Sequence, residues 1–480
     1  MDNFASKETA AKKYANPLAY YPRMLSSAAI MVAAWGMLLL LVWNLDRGVD
    51  LTDEANLLYN YRHPDALLNL SYQQHFRIVR ALVAPAFDNI YYYRLLKLIA
   101  LIGLTGTFSA LFIKWIDLRI GFINSFALSP IALFHFLLVG AFLAYCHGSQ
   151  TLSYNDLVTL CLLAIAAACF ALDLVPFNIN VFLWKFIVSS LIGAVIALVV
   201  PIKWPCAPLL TGYFLLFITL VSSDRSRSAL IASFCGATFG AALFIFATSD
   251  IGIGTIISYS DLFRAMSTPD NFAHHTPSEL IKMYPLSIYR RILELFQFPS
   301  TLAALMLPFV IAVVSAVSNG RAEWGLLRGG LIISSIAFFS IFVSETPDWA
   351  WHHVYYFHRY NIADLQTFTF VFAWIAACCC FFLKKNVIPK HEAIILIRLA
   401  LLLAALPAVG SIGTNNPLLT QFIRHMGPLF AALAVTAAFL GLAARWRSFA
   451  AVVCAAIASL SAAQFAFVLL YYPYRLAAPG

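Results

Sequence analysis

The sequence predicts an all-α, polytopic membrane protein, and three observations lead to this prediction. Of its 480 residues, 62% are hydrophobic and 11% are charged, so a soluble domain of this composition would expose a large apolar surface. Apolar windows of about 20 residues, the length of a helix that crosses a bilayer, recur along the chain. Lysine and arginine lie mainly in short loops between these windows, as in the cytoplasmic loops of membrane proteins. The net charge of +9 therefore reflects orientation in a membrane and does not indicate a nucleic-acid partner.

The windows predict about 13 transmembrane helices in a single membrane domain that covers residues 1–480. Basic residues precede the first window, so the arm 1–23 is expected in the cytoplasm and the tail 472–480 outside it. The predicted spans are Met24–Leu45, Leu95–Ile116, Ile123–Tyr145, Leu157–Leu174, Val181–Val200, Leu209–Val221, Ala229–Thr248, Thr301–Ser318, Leu331–Val343, Leu365–Leu383, Ile394–Ile412, Pro428–Ala444 and Ala450–Tyr472.

The first external loop, residues 46–93, is predicted to organise the rest of the chain. It opens with DRGVDLTDEANLLYNYRHP, in which Asp53 and Glu54 stand side by side just after the first span. Over residues 65–83 apolar side chains recur against Gln and Arg, which predicts amphipathic helices on the membrane surface. A second long external loop covers residues 249–298.

Most acidic residues and histidines fall on the external side of this topology, which favours an enzyme that acts there. Asp53 is predicted to be a general base with Glu54 as its neighbour, and capping of the following helix is a compatible second role. Asp156, in the turn HGSQTLSYND, is a third catalytic candidate; helix capping and a share in a divalent-ion site are its alternatives. The alternative explanation of the whole pattern is that longer loops hold more polar residues.

Cationic and aromatic residues on the same side indicate how a substrate is held. Lys203, in PIKWP between two predicted spans, is expected to bind a donor phosphate, although such residues ordinarily anchor a protein at the membrane interface. Its predicted partners in this role are Arg77, Arg80 and Arg359. The residues expected to bind sugar or acceptor are Tyr59, Arg62, His352, His353 and Asn415. The pair His352 and His353, in WAWHHVYYFHR, is equally consistent with metal ligands or an aromatic sugar platform.

Three short motifs resemble the GT-C superfamily of membrane glycosyltransferases. They are TDEA behind the first span, SYND in the turn after the third and IKWP after the fifth, and the resemblance covers roughly residues 24–298. The subfamilies that transfer mannose to protein and aminoarabinose to lipid A place an acceptor-activating aspartate in the first external loop. The resemblance implies that role for Asp53, with Asp156 at the second acidic position and Lys203 in the lysine-containing turn. This turn reads IKWP where a threonine–lysine form is more usual, and the acceptor class stays open.

The predicted function is therefore an inverting glycosyltransferase that acts on the external face of the membrane. Its expected partners are a polyprenyl-phosphate-linked sugar, a glycan, lipid or protein acceptor, and membrane lipids. No cofactor or metal is required, and a divalent cation is the open alternative. The competing functions are a lipid-linked glycan transporter or flippase, which predicts ionisable residues near the bilayer midplane, and an oligosaccharide polymerase or ligase. We expect a bacterial inner membrane, with the amino terminus cytoplasmic and the carboxyl terminus periplasmic.

Overall fold

In the described part of the chain, the regular structure is helical apart from one ladder formed by two strands of two residues each. The computed structural model describes residues 17–47, 49–50, 53–63, 79, 89–120, 128–146, 150–174, 180–203, 205–222, 227–248, 390–412, 423–442, 447–471 and 475–476. The all-helical class predicted from the sequence is confirmed for these residues.

Eleven described helices follow one another along the chain. They are α1 (Pro17–Asn44), α2 (Asp53–Arg62), α3 (Ile90–Ile120), α4 (Pro130–Cys146), α5 (Tyr154–Asp173), α6 (Val181–Lys203), α7 (Cys206–Leu220), α8 (Arg227–Thr248), α9 (Lys390–Ser411), α10 (Met426–Leu442) and α11 (Arg447–Tyr471). A 3-10 turn at Ile423–His425 leads into α10, and strands β1 (Val49–Asp50) and β2 (Arg475–Leu476) form the ladder.

Five described helices, α1, α3, α5, α6 and α9, are long and apolar enough to cross a membrane by length and composition. Shorter apolar segments lie in α4, α7, α8, α10 and α11. In α5, 89% of the apolar window is buried inside the protein, against 33% in α1, so α5 is central and α1 is peripheral. Exposed apolar side chains on α1, such as Val32, Trp35 and Leu39, suit contact with lipid.

Ten of these helices correspond to ten predicted spans, with shifted boundaries. The predicted spans Thr301–Ser318, Leu331–Val343 and Leu365–Leu383 lie outside the described residues, so the count of about 13 stays a prediction. The predicted surface helices over residues 65–83 also lie outside, apart from residue 79.

Three boundaries differ in ways that matter for the site. Helix α4 begins at Pro130 and not at Ile123, because proline suits a first helical position and Ser129 accepts a hydrogen bond from a backbone N–H of the first turn. Helix α3 begins at Ile90 and not at Leu95. The prediction that Lys203 lies in a loop is wrong: α6 continues through its proline, and Lys203 is its last residue.

Polar contacts between α3 and α5 show that these two helices run in the same direction. Near their starts, Lys97 Nζ lies 2.9 Å from Asp156 Oδ1. Near their ends, Trp115 Nε1 donates to Asp173 Oδ2 at 3.1 Å, and Arg119 donates to the same oxygen at 3.2 Å. We call the end marked by Lys97 and Asp156 the site end, and the end marked by Asp173 the opposite end.

Helix α6 runs back between these ends. Close to its start, Trp184 Nε1 donates to Ala171 O near the end of α5, and at its last residue Lys203 donates to Asn155 near the start of α5. Helix α6 therefore begins at the opposite end and finishes at the site end. This direction agrees with the alternation predicted from the sequence.

Helix α8 packs along α6 and is parallel to it. Ser189 on α6 pairs with Ser233 on α8, and one turn later Gly193 meets Phe234 and Thr238. A Cβ atom added to Gly193 would lie 2.5 Å from the backbone oxygen of Phe234, so glycine permits this close approach. Because α8 is parallel to α6, its last residue points toward the site end.

Helix α9 starts at the opposite end, where Arg398 donates to Leu220 O at the end of α7, and reaches Lys203 at the site end through Gly410 O. The last residue of α8 and the first residue of α9 therefore lie at opposite ends of the described helices.

The ladder joins two distant parts of the chain at the site end. Strand β1 pairs antiparallel with β2, with Val49 opposite Leu476 and Asp50 opposite Arg475. The tail after α11 therefore lies on the same side as the loop after α1.

Cysteine labelling tests this shared sidedness. In a variant without the native cysteines, Asp46→Cys at the site end should react with a membrane-impermeant maleimide in intact cells, because Asp46 is exposed. Ser226→Cys, between α7 and α8, should react only after permeabilisation. Equal labelling of both positions in intact cells would contradict the helix directions derived above.

Candidate functional site

The candidate site is a group of buried polar side chains where five helix ends meet. It draws on the ends of α1, α6 and α9 and on the starts of α3 and α5, with α2 and the turn before α10 beside them. Its members are Glu54, Arg94, Lys97, Thr151, Asn155, Asp156, Thr159, Lys203 and His425. We refer to these residues as the polar cluster.

Arg94 and Glu54 form a fully buried ion pair. Arg94 Nη2 lies 2.6 Å from Glu54 Oε2, and Arg94 Nε donates to Oε1 at 3.0 Å. The guanidinium therefore forms a bidentate contact with the carboxylate through two parallel hydrogen bonds. The side chains are 0% and 1% exposed. Such a two-point contact is the geometry in which arginine and a carboxylate bind most strongly.

The third nitrogen of Arg94 holds the end of α1. Arg94 Nη1 donates to Leu45 O and Arg47 O, both at 3.0 Å, and more weakly to Asn44 O at 3.4 Å. The last carbonyls of a helix lack partners within the helix and carry partial negative charge, so a cation is stabilised there. Arg94 thus ties the end of α1 to the start of α2.

Glu54 also reaches the turn that precedes α5. The backbone N–H of Thr151 donates to Glu54 Oε1 at 3.1 Å, and Thr151 is fully buried. Both carboxylate oxygens of Glu54 therefore accept buried hydrogen bonds. Tyr61 at the other end of α2 stacks on Tyr93 of α3, with ring centroids 5.0 Å apart, which holds α2 along its length.

Asp156 is both a helix cap and half of a second ion pair. Its Oδ2 accepts hydrogen bonds from Ser153 N and Oγ, and its own N–H donates to Ser153 Oγ, which is a capping box. Its other oxygen lies 2.9 Å from Lys97 Nζ. Lys97 in turn lies over the ring of Tyr145 and donates weakly to Tyr145 O at the end of α4. Capping, which the sequence left open for Asp156, is confirmed.

Lys203 connects three helices from a buried position. Its Nζ donates to Gly410 O at 2.8 Å and to Asn155 Oδ1 at 3.0 Å, and the side chain is 4% exposed. The ring of Tyr154 lies 5.7 Å from the same nitrogen. An ammonium group has three donors. Two of them hold the ends of α6 and α9 against the start of α5.

His425 fills the space between α5 and α9. Its Nδ1 lies 2.8 Å from Thr159 Oγ, and its Nε2 lies against Gly410 so closely that an added Cβ on that glycine would be 2.5 Å from it. Burial lowers the pKa of His425 from 6.5 to about 3, and the positive charges of Lys203 and Arg424 act in the same direction. The imidazole is therefore neutral at neutral pH.

Positive charge exceeds negative charge among the described residues of this region. The cations are Arg94, Lys97, Lys203 and Arg424, and the carboxylates are Glu54 and Asp156. The side chain of Asp53 is not among the described atoms, although its backbone forms the first residue of α2. A cationic surplus at a buried site is chemically suited to an anionic ligand.

The structure brings Glu54, Asp156 and Lys203 into one cluster, and the catalytic and phosphate-binding roles predicted for them stay predictions. Tyr59 and Arg62 lie on the exposed side of α2, and Tyr59 contacts the ring of His63. The other predicted binding residues lie outside the described part of the chain: Arg77, Arg80, His352, His353, Arg359 and Asn415. Their roles stay predictions.

Sequence reasoning missed Arg94, Lys97 and Thr159 and did not single out His425 from other external residues. Arg94 and Lys97 stand in YYYRLLK at the edge of an apolar window, where such residues usually anchor a helix at the interface. Their position in the sequence gave one usable signal. Both residues lie in about the first two turns of α3, at the same end of the helices as the acidic loop. Thr159 lies inside an apolar span, and nothing in its neighbourhood marks it.

No protein-family model matches the chain, and no curated protein or solved structure is significantly similar to it. The described residues contain no group of three or more histidine, cysteine, aspartate or glutamate side chains that could hold a metal ion. The predicted independence from metals is not tested by this observation.

We predict that the Arg94–Glu54 pair stabilises the fold far more than the pair at the opposite end. Glu54→Gln should destabilise the protein by about 3–5 kcal/mol, because it leaves a buried guanidinium without its counter-charge. Arg119→Gln is the matched control and should cost less, since the Arg119 side chain is 17% exposed and its contact with Asp173, at 3.2 Å, is longer than that of Arg94 with Glu54. Thermal melting in detergent measures both. Equal losses would mean that the Arg94–Glu54 pair does not support the fold in this way.

A second prediction concerns the stability of the folded protein at acidic pH. Between pH 6.5 and about 3 the unfolded chain binds a proton at His425 that the folded protein does not, so stability falls as the pH drops below 6.5. From pH 7 to pH 5 this loss should reach about 2 kcal/mol. The variant His425→Gln should lack this part of the pH dependence in melting experiments, whereas His391→Gln, at an exposed histidine, should keep it.

Proposed function

We propose that the protein is an inverting glycosyltransferase that moves a sugar from a polyprenyl-phosphate carrier to a glycan, lipid or protein acceptor. The reaction would take place at the site end, on the external face of a bacterial inner membrane. The observation that supports this proposal best is the convergence of Glu54 at the start of α2, Asp156 in the first turn of α5 and Lys203 at the end of α6. These residues stand in the three motifs that carry the resemblance to GT-C enzymes.

The charge of the polar cluster fits the proposed donor. A polyprenyl-phosphate sugar carries a phosphate at the membrane surface and an apolar tail in the bilayer. Buried cations at helix ends, beside apolar helix surfaces, provide both environments. The described buried charges Glu54, Arg94, Lys97 and Lys203 all lie within about two turns of a helix end. This distribution fits transport across the bilayer midplane less well.

Asp53 is the better candidate for the base in this proposal, and Glu54 for a supporting role. Both oxygens of Glu54 accept hydrogen bonds from Arg94 and Thr151 in a buried position, which leaves little capacity to accept a proton from a substrate. Asp53 is adjacent in sequence and begins α2, so its backbone is held by the bonds that hold Glu54. We therefore assign proton abstraction to Asp53.

The proposed reaction is a single displacement. The acceptor hydroxyl loses its proton to the Asp53 carboxylate as its oxygen attacks the anomeric carbon, and the bond from that carbon to the phosphate oxygen breaks. Polyprenyl phosphate leaves as a stable anion, so no general acid is required. Because one bond forms opposite to the bond that breaks, the configuration at the anomeric carbon inverts.

Lys203 takes part in this proposal mainly as a positioning residue. Among the described residues, two of its three donors bind Gly410 O and Asn155 Oδ1, and we assign the third to a phosphate oxygen. Arg424, at the turn before α10, is a further cation close to the same group. Arg77, Arg80 and Arg359 keep their proposed role at the donor phosphate.

Substitution of Asp53 tests the proposed reaction. Asp53→Asn retains the size of the side chain but cannot take the proton, so transfer from a single-sugar polyprenyl-phosphate donor should fall by on the order of 10² to 10⁴-fold. Melting temperature and donor binding should stay unchanged. The measurement is initial rate with purified protein in lipid nanodiscs.

Two control variants sharpen the result. Asp46→Asn lies in the same loop at an exposed position and should retain full activity. Glu54→Gln should lose activity together with stability, because it opens the bond to Arg94. Full activity of Asp53→Asn would rule out Asp53 as the base, and failure of the native protein to use any polyprenyl-phosphate sugar would rule out the proposed function.

A further inference from the structure

The ladder between β1 and β2 connects the tail of the chain to the loop that carries Asp53. Val49 faces Leu476 and Asp50 faces Arg475, and this is the only ladder among the described residues. The two strands are more than 400 residues apart in sequence. Neither the membrane-span pattern nor any motif of the sequence predicts their pairing.

Strand β1 stands between two contacts of one guanidinium. Arg94 binds the carbonyl of Arg47 on one side of β1 and the carboxylate of Glu54 on the other. The described residues between these contacts are β1 and Asp53, the first residue of α2, and we refer to them together as the arch. Both flanking contacts belong to Arg94, and the position of β1 between them depends on what else contacts it.

The tail is anchored independently of this arch. It follows α11, and α11 packs along α1 in one of the most extensive helix contacts of the described chain. The side chains of Ala450, Ala451, Ala458 and Phe465 on α11 are fully buried. Strand β2 follows the firmly packed helix α11 in sequence and pairs with β1 of the arch.

We propose that β2 is a positioning strand for the candidate site: by pairing with β1 it fixes the arch and, through it, the first residue of α2. Backbone hydrogen bonds between the strands hold the arch without requiring any particular side chain. The tail thus belongs to the candidate site although none of its side chains need touch a substrate. The effect on catalysis rests on the proposed function, whereas the pairing itself does not.

Disulfide cross-linking tests the register. In a variant without native cysteines, the facing pairs Val49→Cys with Leu476→Cys and Asp50→Cys with Arg475→Cys are each exposed to mild oxidant. Facing residues have Cβ atoms about 4.5–5.5 Å apart, and the pair without direct hydrogen bonds is the closer one, so at least one pair should cross-link. The diagonal pair Val49→Cys with Arg475→Cys points to opposite faces and should not. Equal cross-linking of all pairs, or none, would overturn the pairing.

Truncation of the carboxyl-terminal tail tests whether β2 positions β1 and the first residue of α2. Deletion of residues 474–480 removes β2, and deletion of residues 477–480 is the matched control that retains it. In hydrogen–deuterium exchange, loss of β2 should accelerate exchange in a peptide covering residues 45–54, with no change in α5. Turnover should fall about 10-fold to 100-fold at unchanged donor KM, since a displaced base slows chemistry without weakening the phosphate contacts.

The outcomes separate the two proposals. Unchanged exchange in residues 45–54 after loss of β2 would overturn the positioning role, whatever the activity. Faster exchange with unchanged turnover in an active transferase would overturn it as well. If the native protein transfers no sugar, the proposed function fails, and the exchange and cross-linking results still decide whether β2 holds the arch.

Discussion

The arrangement of the site end depends on one buried guanidinium. Arg94 has no exposed surface, and a buried cation is tolerated only when acceptors surround it. Those acceptors are the carboxylate of Glu54 and the carbonyls at the end of α1, so the chain after α1 has to turn back toward α3. Glu54 then reaches Thr151 and brings in the turn before α5. The hydrogen bonds that Arg94 of α3 requires therefore determine where the start of α2, which carries Asp53, lies.

The same rule organises the other cations of the cluster. Three of the helices that run toward the site end finish there at a positive side chain that binds a carbonyl group at the helix end: Arg94 at α1, Lys97 at α4 and Lys203 at α9. Helices that run away from it begin there, and Asp156 caps the start of α5. Alternating helix directions thus place negative and positive dipole ends side by side. Charges on side chains and partial charges on helix ends therefore compensate one another.

The cluster combines rigidity with a surplus of positive charge. His425 stays neutral because burial and two cations lower its pKa, so it fills space and binds Thr159 without adding charge. Gly410 allows its ring to approach α9 and at the same time offers its carbonyl to Lys203. A substitution at this glycine would disturb both contacts. The fixed framework of the cluster is consistent with a site that positions an anionic lipid carrier, as proposed.

Local information in the sequence determined the all-helical class, ten of the described apolar helices and the sharing of one end by the acidic loop, the SYND turn and Lys203. Window length and loop charge are properties of neighbouring residues, so one sequence suffices to read them. Only the tertiary structure gave Glu54 its partner, since nothing in the residues around the acidic pair indicates Arg94, 40 residues away. The contacts of Lys203 with Gly410 and of Thr159 with His425 span 207 and 266 residues, and the ladder of β1 with β2 spans nearly the whole chain. The packing of complete helices and the need to satisfy buried polar groups determine these partners. Neither can be read from the residues near each partner in sequence.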